Sequence, residues 1–106
     1  MVKKETTIFP FYFIYGAEDY LIEEEVRTLM DHVLPPHGRG LNLQTFSGEE
    51  HGAQEILRTV QTLPMFSKYR FILVKKADQM DEKEVEGFLN YFQRPSPSTC
   101  LVLCAQ

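Results

Sequence analysis

The sequence predicts an α/β fold of three layers, a mostly parallel sheet with helices on its faces and elements in the order β-α-β-α-β-α-β. Three observations carry that expectation: four short apolar segments, three amphipathic segments at helical spacing between them, and a turn or cap signal at nearly every junction. Strands that alternate with helices require crossover connections, and these place helices against both faces of a parallel sheet. With 106 residues, there is length for one core and no separate regulatory unit. Residues 1–106 are therefore expected to form a single α/β domain. Because only Ala105 and Gln106 follow the last apolar strand, the chain reads as an N-terminal fragment of a longer protein.

The first strand is the apolar and aromatic run from Phe11 to Tyr15, which ends at Gly16 and reads as buried on both faces. Asp19 is a plausible N-cap, and Glu23, Glu24 and Glu25 suit the positive end of a helix dipole. Ile22, Val26, Leu29, Met30 and Val33 then recur at spacings of four and three, forming one helical stripe that Pro35-Pro36-His37-Gly38 stops. Leu41-Asn42-Leu43-Gln44-Thr45-Phe46 alternates like a strand with one less buried face. Ser47 with Glu50 offers a capping box before the stripe Ala53, Ile56, Leu57 and Val60. Phe71-Ile72-Leu73-Val74 is the third strand. Asp81 with Glu84 repeats the capping pattern before Val85, Phe88, Leu89 and Phe92, and Pro95-Ser96-Pro97-Ser98 turns the chain into the strand from Thr99 to Cys104.

Composition removes several classes of function. Hydrophobic content of 43% with 25% charged residues is ordinary for a soluble protein, and no apolar run approaches the ~20 residues that cross a bilayer. The N-terminus carries Lys3 and Lys4, but its apolar segment is broken by Pro10 and lacks a cleavage site, so the chain is expected to be cytoplasmic. A net charge of −4 argues against a surface that itself grips nucleic acid, which makes any role near DNA indirect. Cys100 and Cys104 lie ~13 Å apart along one strand, too far to pair, and read as buried free thiols.

The chemistry of the first strand and turn is a phosphate site that lacks its functional groups. A phosphate-binding loop needs Gly, four residues, then Gly-Lys-Ser/Thr, so that amides wrap the phosphates, the lysine neutralises them and the hydroxyl ligates magnesium. Counting from Gly16 puts Leu21, Ile22 and Glu23 in the last three places. None of the three can do the required work, and a carboxylate there repels phosphate. A metal-holding carboxylate is expected at the end of the third strand, where Lys75 and Lys76 stand instead. Glu18 and Asp19 suit a receiver-like phosphoryl site in principle, but acidic residues at a helix start are ordinarily caps. His32, His37 and His51 have no metal or acid-base spacing and read as surface residues, and Ser67 beside Lys68 lacks the elbow of a nucleophile. We expect no catalytic residue, no metal and no cofactor.

One connection stands out. Leu63, Met65 and Phe66 flank Pro64 between the second helix and the third strand, where large apolar side chains either fold back on the core or await a partner.

Three motifs in order then resemble the N-terminal domain of the delta subunit of the bacterial DNA polymerase III clamp loader. They are Tyr15-Gly16-Ala17-Glu18-Asp19-Tyr20-Leu21-Ile22 after an apolar strand, Leu63-Pro64-Met65-Phe66-Ser67-Lys68-Tyr69-Arg70 before another, and the Pro95-Ser96-Pro97-Ser98-Thr99 lead into the last. The resemblance implies a RecA-like domain of the AAA+ type without a functional P-loop. It also implies that Met65 and Phe66, supported by Leu63 and Pro64, insert into a pocket of the beta sliding clamp and help open its ring during DNA replication. Met65 stands where leucine is commoner, a swap that conserves volume. Other loader subunits would be met through regions mostly outside these residues. The whole delta subunit belongs to the DNA-directed DNA polymerase holoenzyme, a nucleotidyltransferase complex, although this chain itself would catalyse nothing. The alternative is a small phosphate-binding or receiver-like α/β domain.

Overall fold

Four strands, Phe11–Tyr15 (β1), Leu43–Ser47 (β2), Arg70–Lys75 (β3) and Thr99–Ala105 (β4), form one sheet in the order β1-β4-β3-β2. All three pairings are parallel, from Phe11 opposite Leu101 in the first to Arg70 opposite Thr99 in the last. A computed structural model describes residues 8–37 and 39–106, so the N-terminal lysines and Gly38 of the predicted helix stop lie outside the described residues. Helix α1 spans Asp19–Val33, α2 is a single turn at Arg39–Asn42, α3 spans Ala53–Val60 and α4 spans Glu82–Gln93; a 3-10 turn occupies Ala77–Gln79.

The three layers follow from side-chain alternation along β3 and β4. Ile72, Val74, Leu101 and Leu103 face one way and meet Ile56 and Val60 of α3 and Phe88 and Tyr91 of α4. Phe71, Leu73, Cys100 and Val102 face the other way and meet Val26 and Val33 of α1. Each fully buried side chain of this size contributes ~1.5–3 kcal/mol, so the central pair anchors both layers. The stripes read from the sequence for α1 and α3 are the faces that pack, but on α4 Val85 and Leu89 are exposed and it is Phe88, Tyr91 and Phe92 that meet the core, so the packed face of α4 is turned from the one expected.

The first strand differs from expectation. Tyr12 and Ile14 pack under α1, but Phe13 and Tyr15 are 58% and 75% exposed, so β1 is not buried on both faces. Its position explains this: β1 lies at the edge of the sheet, and on the α4 side it is Phe11 that gains cover, stacking on Phe92 with ring centroids 4.2 Å apart. An apolar run signals a strand, not which of its faces will be covered.

Two helix starts also differ. Glu18, not Asp19, is the N-cap of α1, and its carbonyl accepts from the amides of Leu21 and Ile22. Ser47 remains in β2, paired with Lys75, and α3 begins at Ala53 after Gly52, so no capping box forms between Ser47 and Glu50. The amide of Ala53 instead donates to the carboxylate of Glu84 on α4. That carboxylate is thereby taken from the box expected with Asp81, which caps α4 through its carbonyl alone. One acidic side chain thus satisfies an orphan amide across the α3–α4 interface, opposite the positive end of the α3 dipole.

Residues 41 and 42 leave the expected strand and form the end of α2. Arg39 holds that turn to α1, its guanidinium donating to the Leu34 carbonyl at 3.0 Å and to Asp31 at 3.2 Å. Near the carboxyl ends of the strands, the Gly48 amide donates to the Lys75 carbonyl at 2.7 Å. A Cβ at Gly48 would stand 2.2 Å from the Lys76 carbonyl oxygen, which is why only glycine fits there. His51, read as a surface residue, is half-buried against Phe46, with centroids 5.1 Å apart, and its ring accepts from the Ser47 amide.

Both cysteines are free and buried in β4. Burial pushes the Cys100 thiol up to about 12 and that of Cys104 up to about 11, with the Lys75 ammonium pulling the second back down. Because the folded values lie above the ordinary 9.0, the folded chain keeps protons that the unfolded chain releases. This part of the stability is complete below pH 9 and is lost as pH rises through 11 and 12. Urea denaturation from pH 8 to 11 is expected to show a falling midpoint, and Cys100→Ala with Cys104→Ala is expected to make that fall shallower.

Candidate functional site

The two ends of the sheet present different surfaces. At the carboxyl ends of β3 and β4, a crevice of about 630 Å³ lies against α1, the position that ligands occupy in open parallel sheets. Its apolar wall includes Ile22, Val26, Leu73 and Cys104, and its charged lining brings Asp19, Glu23, Glu49 and Asp78 together with Arg27, Lys75 and Lys76.

The turn that should cradle a phosphate is short. Gly16 donates to the Ala105 carbonyl at 3.3 Å, and α1 begins at Asp19, leaving only Gly16, Ala17 and Glu18 between strand and helix. Leu21, Ile22 and Glu23 are therefore helix residues. Leu21 is 48% exposed, Ile22 packs into the core between α1 and the sheet, and Glu23 lines the crevice. Asp19 is hydrogen-bonded by the Gln106 side chain. Across the crevice, Lys76 adopts a left-handed conformation at φ 55° and pairs with Glu49 at 3.1 Å. Asp78 accepts from Gln79 at 3.0 Å. Among the described residues, no group of three or more His, Cys, Asp or Glu is placed to hold a metal ion.

The opposite end carries the apolar connection, residues 61–69, which runs from α3 into the start of β3. Leu63, Met65 and Phe66 are 73%, 53% and 79% exposed, and Pro64 is half-buried. They do not plug the end of the sheet; that alternative is closed. The Thr99 hydroxyl donates to the Val60 carbonyl at 2.9 Å and fixes the end of α3 from which the connection departs. Within the connection, the Ser67 hydroxyl accepts from the Tyr69 amide at 3.3 Å, a local turn bond and not part of a nucleophilic pair.

Two features of its backbone were not legible in the sequence. Phe66 sits at φ 58°, a left-handed conformation that a bulky residue rarely adopts. Asn42, expected to be an outward polar position of a strand, is fully buried; its side-chain amide donates to the Met65 carbonyl at 2.6 Å, and its side-chain oxygen accepts from the Met65 amide at 2.8 Å. No local pattern announces a contact between residues 23 apart in the chain.

These two ends define a parallel α/β domain of nucleotide-binding architecture, with a three-residue turn in place of a phosphate loop and an apolar tip at the other end of the sheet. Residues 12–106 match the family model for "DNA polymerase III, delta subunit", and the chain belongs to that family. It is 29% identical to the DNA polymerase III subunit delta of Bacillus subtilis over 110 aligned positions, covering 96% of this chain and 32% of that protein. Among solved structures, the Bacillus subtilis DNA clamp loader delta protein superposes with a TM-score of 0.82 at 29% identity, over 92% of this chain and 31% of the other. A DNA polymerase III gamma subunit-related protein of Thermotoga maritima shares the fold, with a TM-score of 0.66 at 16% identity over 89% and 33%. The chain thus spans about a third of the length of these relatives.

A left-handed conformation costs a residue with a Cβ ~1 kcal/mol, and Phe66 recovers little of that through burial. Phe66→Gly is expected to be at least as stable as the parent, by ~0.5 kcal/mol in chemical denaturation. A loss above ~1 kcal/mol would show that the ring packs on the domain.

Proposed function

We propose that this chain is the clamp-binding module of a clamp-loader delta subunit, presenting Met65 and Phe66 as a wedge to a hydrophobic pocket on the beta sliding clamp. The observation that carries the reading is the exposure of Leu63, Met65 and Phe66 together on a connection whose backbone is tied to the domain. A contiguous apolar tip is unfavourable in water and becomes favourable when a partner covers it. Burying a methionine and a phenylalanine is worth roughly 3–6 kcal/mol before association costs, enough for a small hot spot. Leu63 and Pro64 flank the pair and shape its base. Ring opening then follows from differential binding: the clamp conformer that fits the wedge better gains population, with no hydrolysis in this domain.

The crevice is read as a disabled nucleotide site. A three-residue turn offers few amides, Leu21 and Ile22 carry no charge, and Glu23 adds repulsion. Lys76 is engaged by Glu49. A receiver-like or phosphate-binding role would need Asp19 or Asp78 to take a metal or phosphoryl group, and each already accepts a side-chain amide. In this reading the domain works in the cytoplasm, meets other loader subunits through regions mostly outside these residues, and approaches DNA only indirectly, in keeping with its net charge of −4.

Met65→Ala with Phe66→Ala is expected to lower affinity for a purified sliding clamp by ~100-fold while circular dichroism remains that of the parent. Unchanged affinity in the folded variant would remove the wedge. In a separate titration, ATP with magnesium is expected to show no saturable binding up to millimolar nucleotide; binding in the micromolar range would show a working site in the crevice.

A further inference from the structure

The tip has an internal difficulty. Its apolar side chains point to water, so burial cannot hold the connection in shape, and one residue at its apex sits in a strained backbone conformation. Left to itself, such a segment would relax into many conformers, and each order lost would weaken binding to a preformed pocket. Something outside the connection must select the presented form.

We propose that Asn42 is the positioning residue of the wedge. The inference rests on the clamp-binding reading of the preceding section. Asn42 ends α2 immediately before β2, where Leu43 is fixed opposite Phe71 by the sheet. Its side chain is fully buried and makes a reciprocal pair of hydrogen bonds to the backbone of Met65, 2.6 Å to the carbonyl and 2.8 Å from the amide. This is the pattern by which one strand residue holds another, delivered by a side chain. Because both contacts are to backbone atoms, they leave the side chain of Met65 free to project. They also fix the peptide plane that leads into Phe66, so the left-handed turn at φ 58° begins from a defined orientation and carries the phenyl ring outward beside Met65. The β2–β3 ladder, through Asn42, thereby sets where the wedge points.

The chemistry is specific to an amide. An aspartate at this position keeps the shape and the acceptor, but its ionised oxygen would face the Met65 carbonyl where the donor stood. Burial raises the value at which such a carboxyl titrates, and its protonated form regains a donor and an acceptor. Asn42→Asp is therefore expected to be conditionally functional, a behaviour that a merely space-filling residue would not produce.

Site-resolved amide exchange on the unaltered full chain comes first, since it needs no variant to fold. The Met65 amide is expected to exchange at least ~10-fold more slowly than an unstructured amide despite its exposed setting, and exchange at the unstructured rate would overturn the proposal. Asn42→Ala is then expected to abolish that protection and lower affinity for a purified sliding clamp by ~10-fold. Combined with Met65→Ala and Phe66→Ala, it is expected to add nothing further. Asn42→Asp should bind weakly at pH 8 and recover toward the parent at pH 5.5, while the parent changes little over that range; binding equal to the parent at pH 8 would overturn the proposal. If the Met65→Ala, Phe66→Ala pair leaves affinity intact, the wedge reading fails. If that pair weakens binding but Asn42→Ala does not, the positioning role alone fails.

Discussion

The parallel pairing of β3 with β4 is the constraint from which the rest of the domain follows. Phe71 to Val74 and Cys100 to Leu103 are buried on both sides, so alternate residues supply the cores of two opposite layers from the same backbone. A one-residue slip between these strands would exchange the two cores, setting side chains chosen for α1 against α3 and α4. Register is therefore fixed twice over. With the centre fixed, β1 and β2 are placed at the edges, and parallel polarity gathers every strand entry at one end of the sheet and every exit at the other.

That polarity separates the two candidate sites. The connection bearing Met65 and Phe66 enters β3 at Arg70, and the crevice lies where β3 leaves at Lys75, so the length of a six-residue strand, ~20 Å, stands between them. Nucleotide chemistry in this architecture belongs to the exit end, where helix N-termini point toward the strand tips. The apolar tip belongs to the entry end, among the carboxyl ends of helices. A surface there could acquire a binding role without passing through the crevice that Ile22 and Glu23 line. The short turn at Gly16 then keeps one structural duty, to carry β1 into α1.

Most of this architecture was legible because its signals are local. Apolar runs gave the strands, stripes at spacings of three and four gave the packed faces of α1 and α3 and part of that of α4, and Gly16 marked the first turn. Apart from the one-residue shift of the α1 cap, the errors that matter to the architecture came from partners distant in sequence. Phe11 to Tyr15 reads identically whether or not a helix covers its second face, and coverage stops near Phe11 because β1 lies at an edge. Glu84 has the right spacing to close a box with Asp81, yet the Ala53 amide, on another helix, holds its carboxylate. Asn42 looked like an alternating strand residue, and its partner is 23 positions away. The exposed tip lies between these cases: its composition raised the question, and only the fold could choose between core and surface.

Asn42 and Phe66 show how a small domain can hold an unfavourable surface in one shape. Hydrophobic residues ordinarily order a loop by being buried, and that route is closed at Leu63, Met65 and Phe66, whose side chains are exposed. The remaining route is to grip the backbone, and an amide side chain suits it because it matches a peptide group donor for acceptor. Such a grip needs a rigid base. Here the base is the first residue pair of β2 and β3, so the geometry of the tip is inherited from the same sheet that forms the core. The strain at Phe66 is then tolerable, since ~1 kcal/mol in one residue is small beside the burial contributed by the central strands. Stability is concentrated in β3 and β4, and the connection that enters β3 is left free to present an apolar surface that the core would otherwise have drawn in.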